Sequence, residues 1–203
     1  MVAVRKRSAM TVEEFLAWEE QQEGRYEFID GVIFPLDEDP TGAVGMVGAT
    51  LGHNQIAANI DRTLARRLRG SPCRVFRESA KVAADTTVFY PDVFVTCQKL
   101  ADRDRMVREP LIIFEVLSDT TERHDLTTKN HAYRSIPSVK QYVVVAQDAL
   151  AVESFVRSDA GWLHSAVHGP DGVLPLPALG LELSMAEIYE DTDLLPDAQT
   201  GEA

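Results

Sequence analysis

Apolar positions in this chain recur with two periods, and the changes between them mark out the elements. Phe15, Leu16 and Trp18 supply one apolar stripe, Thr11 and Glu14 form a capping-box pattern ahead of it, and Gly24 follows. Together they predict a helix over residues 11–22. The run RYEFIDGVIFPL (25–36) places Asp30–Gly31 between two apolar stretches and predicts a β-hairpin. Residues 37–50 are rich in Gly, Asp and Pro and read as a loop. From about Gly52 to Arg69, Ile56, Ile60, Leu64 and Leu68 recur at every fourth position until Gly70 and Pro72, which predicts a second helix. CRVFRESAKVAA (73–84), TVFYPDVFVTC (87–97) and PLIIFEVLS (110–118) each read as one strand. A third helix is expected from about Thr121 to Ser135, closed by Pro137. VKQYVVVAQ, LAVESFVRS and GWLHSAVHG read as three further strands, the last two a hairpin across Asp159–Gly161, and Ser184 with Glu187 caps a short helix.

Strands cluster here rather than alternating strictly with helices, so the expected class is α+β, or a mixed-sheet α/β domain. The strand–helix–strand passage over 110–146 suits one parallel, right-handed crossover. At 203 residues and 45% hydrophobic content the chain can bury a core without disulfides or a structural metal. The expected organisation is one domain over 1–190 and an acidic, disordered tail over 191–203. No apolar run approaches the roughly 18 residues of a membrane span, and no apolar segment follows the basic start as in a secretory signal. Cys73 and Cys97 stand alone, without a CxxC pair, which fits a reducing, cytoplasmic setting and argues against a zinc ribbon.

Charge is unevenly distributed. The net charge is −12, but no Lys or Arg follows Arg157, and nine of the 32 acids lie beyond it. Arg62, Arg66, Arg67, Arg69, Arg74 and Arg77 form a stretch with no intervening acid. Two readings stand for them, a solvated helix face or a phosphate-contact surface. The acidic total argues against strong nonspecific nucleic-acid binding without excluding such a partner.

LIIFEVL (111–117) has the near-continuous apolar character of a central strand, and Glu115 sits inside it. A carboxylate there is costly unless it is paired, hydrogen-bonded or metal-bound. In VFYPDVFV, Asp92 follows Pro91 within another apolar run, so that strand must be at an edge or irregular at this point. Two carboxylates on neighbouring strands suit a hard cation, Mg²⁺ or Mn²⁺, better than zinc. Asp125, Lys129 and Tyr133 are spaced i, i+4, i+8 on the following helix. They form either a surface ion pair or, if that face points inward, a basic group at the carboxylates.

PD at 91–92 followed by Glu115 after 22 intervening residues resembles the PD-(D/E)XK nuclease superfamily. More narrowly, RYEFIDG (25–31), His53 at the start of a helix, YPDV (90–93), EVLS (115–118) and the Asp125, Lys129, Tyr133 pattern resemble the Uma-type restriction endonuclease family of bacteria, over about Thr11 to Leu194. The resemblance implies a restriction-endonuclease-like fold, a central mixed sheet flanked by helices with an N-terminal helix and hairpin. It implies a metal-dependent endonuclease acting on DNA, with Asp92, Glu115 and the backbone carbonyl of Val116 holding Mg²⁺ or Mn²⁺. The superfamily's lysine is expected two residues after the glutamate, where this chain has Leu117, and Lys129 takes that role from the next helix. Glu27 would complete the acidic pocket, with His53, Glu78, Asp125 and Tyr133 as further site residues, and a homodimer is implied by the paired cutters it resembles. Each has a plainer alternative: an exposed hairpin glutamate for Glu27, a packing histidine for His53, and an ion pair with Arg77 or Lys81 for Glu78. His124 and His131 read as surface groups. Two functions of other classes fit the same chain, a non-catalytic DNA- or protein-binding module and a hydrolase of a small phosphorylated substrate.

Overall fold

The computed structural model describes residues 6–7, 10–36, 50–117 and 129–195. All but the last residue of the expected loop over 37–50, most of the expected helix over 121–135 and the end of the acidic tail lie outside these residues. The chain gathers into two compact units, and its path crosses between them several times.

The first unit comprises residues 1–48, 78–90 and 100–108. Its helix α1 (Val12–Glu19) opens with the expected capping box, in which Thr11 Oγ1 accepts the Glu14 N–H and Glu14 accepts the Thr11 N–H. Strands β2 (Tyr26–Ile29) and β3 (Val32–Pro35) form the expected hairpin. Its turn needs positive φ at both central residues, and Asp30 (47°) and Gly31 (82°) adopt it. These strands join β1 (Lys6–Arg7), β5 (Lys81–Ala84), β6 (Thr87–Phe89) and β8 (Met106–Val107) in a sheet of order β1-β3-β2-β6-β5-β8. Val12 and Phe15 of α1 pack on Phe28, Ile33, Ala83 and Val88, and the Phe15 and Phe28 rings stack 4.9 Å apart.

The second unit comprises residues 49–77, 91–99 and 109–203. Its sheet runs β12-β11-β10-β9-β7-β4, built from β4 (Arg74–Arg77), β7 (Val93–Thr96), β9 (Pro110–Val116), β10 (Gln141–Val145), β11 (Ala151–Ser158) and β12 (Gly161–His168). β9 and β10 are parallel, as the crossover predicts, and every other pair is antiparallel. Helix α2 (Leu51–Arg67) lays Ile56, Ala57, Ile60 and Leu64 against one face, where they meet Val93, Val95, Ile112, Phe114, Val143 and Val145. Each fully buried Ile, Leu, Val or Phe among them contributes about 1.5–3 kcal/mol. Helix α3 (Asn130–Ser135) packs beside β10. A separate ribbon, β13 (Val173–Leu176) with β14 (Leu181–Ser184), leads into α4 (Met185–Ile188), capped by Ser184 and Glu187 as expected. No helix among the described residues is long and apolar enough to cross a membrane.

Three expectations are corrected. CRVFRESAKVAA is two strands rather than one: Glu78 turns into the left-handed region (φ 30°), and β4 and β5 join different sheets. TVFYPDVFVTC likewise divides into β6 and β7 at Tyr90–Asp92, where Pro91 cannot extend a ladder. Cys73 and Cys97 do not stand alone but form a disulfide. They flank the paired residues Arg74 and Thr96, so antiparallel register brings them face to face.

Candidate active site

Register explains why two carboxylates distant in sequence become neighbours. β7 and β9 are antiparallel with Val93 opposite Phe114, so Asp92, one residue before β7, stands across from Glu115. On β9, Ile112, Phe114 and Val116 serve the core under α2, and alternation sends Ile113 and Glu115 to the other face. The chain bends at Pro91–Asp92, which leaves the end of β7 open for a side chain to turn back.

Every carboxylate oxygen of the pair has a donor. Asp92 Oδ2 accepts the Val116 N–H at 2.6 Å, and Oδ1 lies 3.3 Å from His53 Nε2 at the start of α2. Glu115 Oε2 accepts the Asp92 N–H at 3.4 Å. Its Oε1 accepts the Tyr133 hydroxyl at 2.6 Å and lies 3.3 Å from Lys129 Nζ. Lys129 is 7% exposed and Glu115 2%. Charges so deeply enclosed are tolerated only when paired and hydrogen-bonded, and this group meets that condition.

The two carboxylates are not equivalent. Burial pushes the Asp92 carboxyl up, but the hydrogen bond and charge of His53, the Val116 N–H and the Lys129 charge outweigh it. The result lies below its ordinary value of 3.8. The Asp92 side chain keeps 17% of its surface exposed, whereas that of Glu115 keeps 2%.

Among the described residues, no three His, Cys, Asp or Glu side chains gather as a cage for a metal ion. The donor set nevertheless fits one class of cation. Two hard carboxylate oxygens beside a strand-end peptide suit Mg²⁺ or Mn²⁺, which keep several waters and need few protein ligands. Asp92 Oδ1, which His53 Nε2 meets at 3.3 Å, belongs to the more exposed of the two side chains.

Of the residues singled out in the sequence, Asp92, Glu115, Val116, Lys129, Tyr133 and His53 come together in the second unit. The part of Val116 that the structure engages is its N–H, which the sequence reading did not anticipate; the register of β7 on β9 was the signal for it. Glu27 is buried in the first unit, where its Oε1 accepts the Tyr90 N–H at 3.3 Å, so it is not an exposed hairpin glutamate. Glu78 is a turn residue rather than a strand residue, and Lys81, suggested as its partner, pairs with Glu19 at 2.7 Å. Asp125 and His124 lie outside the described residues, and His131 is exposed. The arginine stretch is partly neutralised from within the chain. Arg67 contacts Glu187, Arg66 lies 3.9 Å from the same carboxylate, and Arg62 contacts Glu190.

Comparison with known proteins bears on the family and the fold. The sequence profile of the Uma2 family, described as "Putative restriction endonuclease", matches residues 12–186. Two uncharacterised proteins of Synechocystis sp. are similar to the chain. One is 29% identical over 187 residues (89% of this chain, 91% of the relative), the other 30% identical over 175 residues (83% and 93%). A crystal structure from Anabaena variabilis, described as "a putative nuclease belonging to DUF820", shares the fold with a TM-score of 0.69 at 17% identity, covering 89% of this chain and 97% of that one.

Proposed function

The chain belongs to the Uma2 family of restriction-endonuclease-like proteins, and from that premise we propose that it is a Mg²⁺- or Mn²⁺-dependent endonuclease hydrolysing DNA phosphodiester bonds. The observation that carries this reading is the register-matched pair Asp92 and Glu115, with Lys129 and Tyr133 both on Glu115 Oε1.

Asp92 and Glu115, with the Val116 carbonyl, would hold the divalent cation, which would supply Lewis acidity toward the scissile phosphate and lower the pKa of a bound water. The rest of the chemistry belongs to the chain. Lys129 places a positive charge where negative charge grows on the phosphoryl oxygens. Tyr133 fixes the orientation of Glu115, and His53 that of Asp92, so that neither carboxylate must be reorganised during the reaction. Leu117 stands where the superfamily's lysine is expected, and the Nζ of Lys129, 3.3 Å from Glu115, supports its substitution from the helix. This reading uses residues of the second unit alone.

Plasmid nicking tests it. Wild-type protein is expected to nick with Mg²⁺ or Mn²⁺ and to stop when EDTA removes the ion. Asp92→Asn and Lys129→Met should each lower the rate about 100-fold or more while melting as cooperatively as the wild type. A folded wild type inert with both ions, or metal-dependent nicking unchanged in Asp92→Asn, overturns the assignment.

A further inference from the structure

The C-terminal end of helix α3, over Asn130–Ser135, is held by tertiary contacts. One residue supplies three of them. Arg157, on β11, donates from Nε to the Val139 carbonyl at 2.7 Å and from Nη2 to the carbonyls of Arg134 and Ile136, each at 2.8 Å. Ile136 is the C-cap of α3 and Arg134 lies in its last turn. The last carbonyls of a helix have no partner within it, and a cation there also meets the negative end of the helix dipole.

The fork is itself braced. The Arg157 guanidinium lies over the Trp162 ring at 4.4 Å from its centroid. Arg134 lies over the same ring at 5.1 Å and over Phe155 at 5.4 Å. The hairpin β11–β12 and the end of α3 are thereby locked together through stacked planar groups. Among the described residues no carboxylate pairs with Arg157, so its charge is directed at the helix end. Lys129, at the other end of the described helix, and Tyr133, within it, reach Glu115.

We infer that Arg157 is a positioning residue. By clamping the C-terminal end of α3 it sets where the Tyr133 hydroxyl and the Lys129 ammonium meet Glu115. The inference rests on the proposed role of that group in cleavage, but its structural half can be read without any cleavage at all.

The test uses the full chain with Arg157→Gln and the milder Arg157→Lys, which keeps the charge and loses the fork. Three quantities are measured: hydrogen exchange over 130–136 against β9 and β10, the ring ¹³C signal of Tyr133 (identified by its loss in Tyr133→Phe), and kcat and KM for nicking. Both variants are expected to exchange faster in 130–136 with β9 and β10 unchanged, and to shift the Tyr133 signal. They should lose about 10- to 100-fold in kcat at unchanged KM, as a displaced charge does. A folded variant with wild-type exchange in 130–136 and an unmoved Tyr133 signal overturns the inference. So does exchange that rises equally in β9 and β10, which marks general loosening. If the wild type cleaves nothing, the endonuclease reading fails, while exchange and the Tyr133 signal still decide the role of Arg157.

Discussion

Tyr133 is a residue at which stability and the proposed chemistry meet. Its hydroxyl donates to an oxygen of a carboxylate that is 2% exposed, and a hydrogen bond to a buried charge is worth about 1.5–3 kcal/mol. Tyr133→Phe should lower unfolding stability by about that amount in denaturant titration and slow nicking while leaving metal dependence intact. Asp92 gives a pH signature. Its folded pKa is depressed, so the stability it contributes is present above the ordinary value of 3.8 and is lost as pH falls through the folded value. Melting temperatures followed below pH 3.8 should therefore fall more steeply for the wild type than for Asp92→Asn. Both carboxylates were legible in the sequence, because a charge inside an apolar run is anomalous wherever it stands. The pairing of His53 with Asp92 was not, since it joins the start of a helix to a strand end 39 residues later, and no local period encodes that meeting.

The helical period of α2 is plain in the sequence, whereas the boundaries of the strands are not. α2 was predicted over about 52–69 and runs over 51–67, because four apolar residues at i, i+4 spacing have one physical solution. Ile60→Ala removes a side chain that is 1% exposed from the centre of that stripe. A loss of about 2–5 kcal/mol is expected in chemical denaturation, and a smaller one would mean that the core can collapse onto the gap. β13 and β14 escaped the sequence reading because Pro175 and Pro177 look like breakers. In a two-stranded ribbon the missing proline N–H costs little, and Pro175 lies opposite Glu182 without disturbing the pairing. β1 and β8, of two residues each, carry no period at all. The runs at 73–84 and 87–97 read as single strands because apolar residues resume within a few positions of each break; only Glu78 and Pro91 mark where the chain leaves one sheet for another.

For the whole molecule the proposed substrate raises the question of how a chain of net charge −12 would meet a polyanion. Part of the answer lies in where the excess acid is spent. Nine acids follow the last basic residue, and two of them, Glu187 and Glu190, face the arginines of α2. Those carboxylates compete with phosphate for the same guanidiniums. Glu190→Gln should release Arg62, tighten DNA binding and steepen its dependence on salt by about one unit of slope, measured by fluorescence anisotropy from low to physiological salt. An unchanged slope would place the arginine row away from the nucleic acid.

The disulfide has a consequence at the same scale. Cys73 and Cys97 bracket the stretch in which the chain departs the second unit after Arg77, builds β5 and β6 in the first, and returns at Pro91. Closing a loop of this length stabilises the folded chain by about 3 kcal/mol, so Cys73→Ser should lower the unfolding free energy by roughly that much. The tip of the excursion, Asp85–Thr86, is an exposed turn and a natural point of proteolytic attack. A chain nicked there stays one covalent molecule while the bridge is intact. It migrates as a single band in non-reducing electrophoresis and separates into two fragments once a thiol is added.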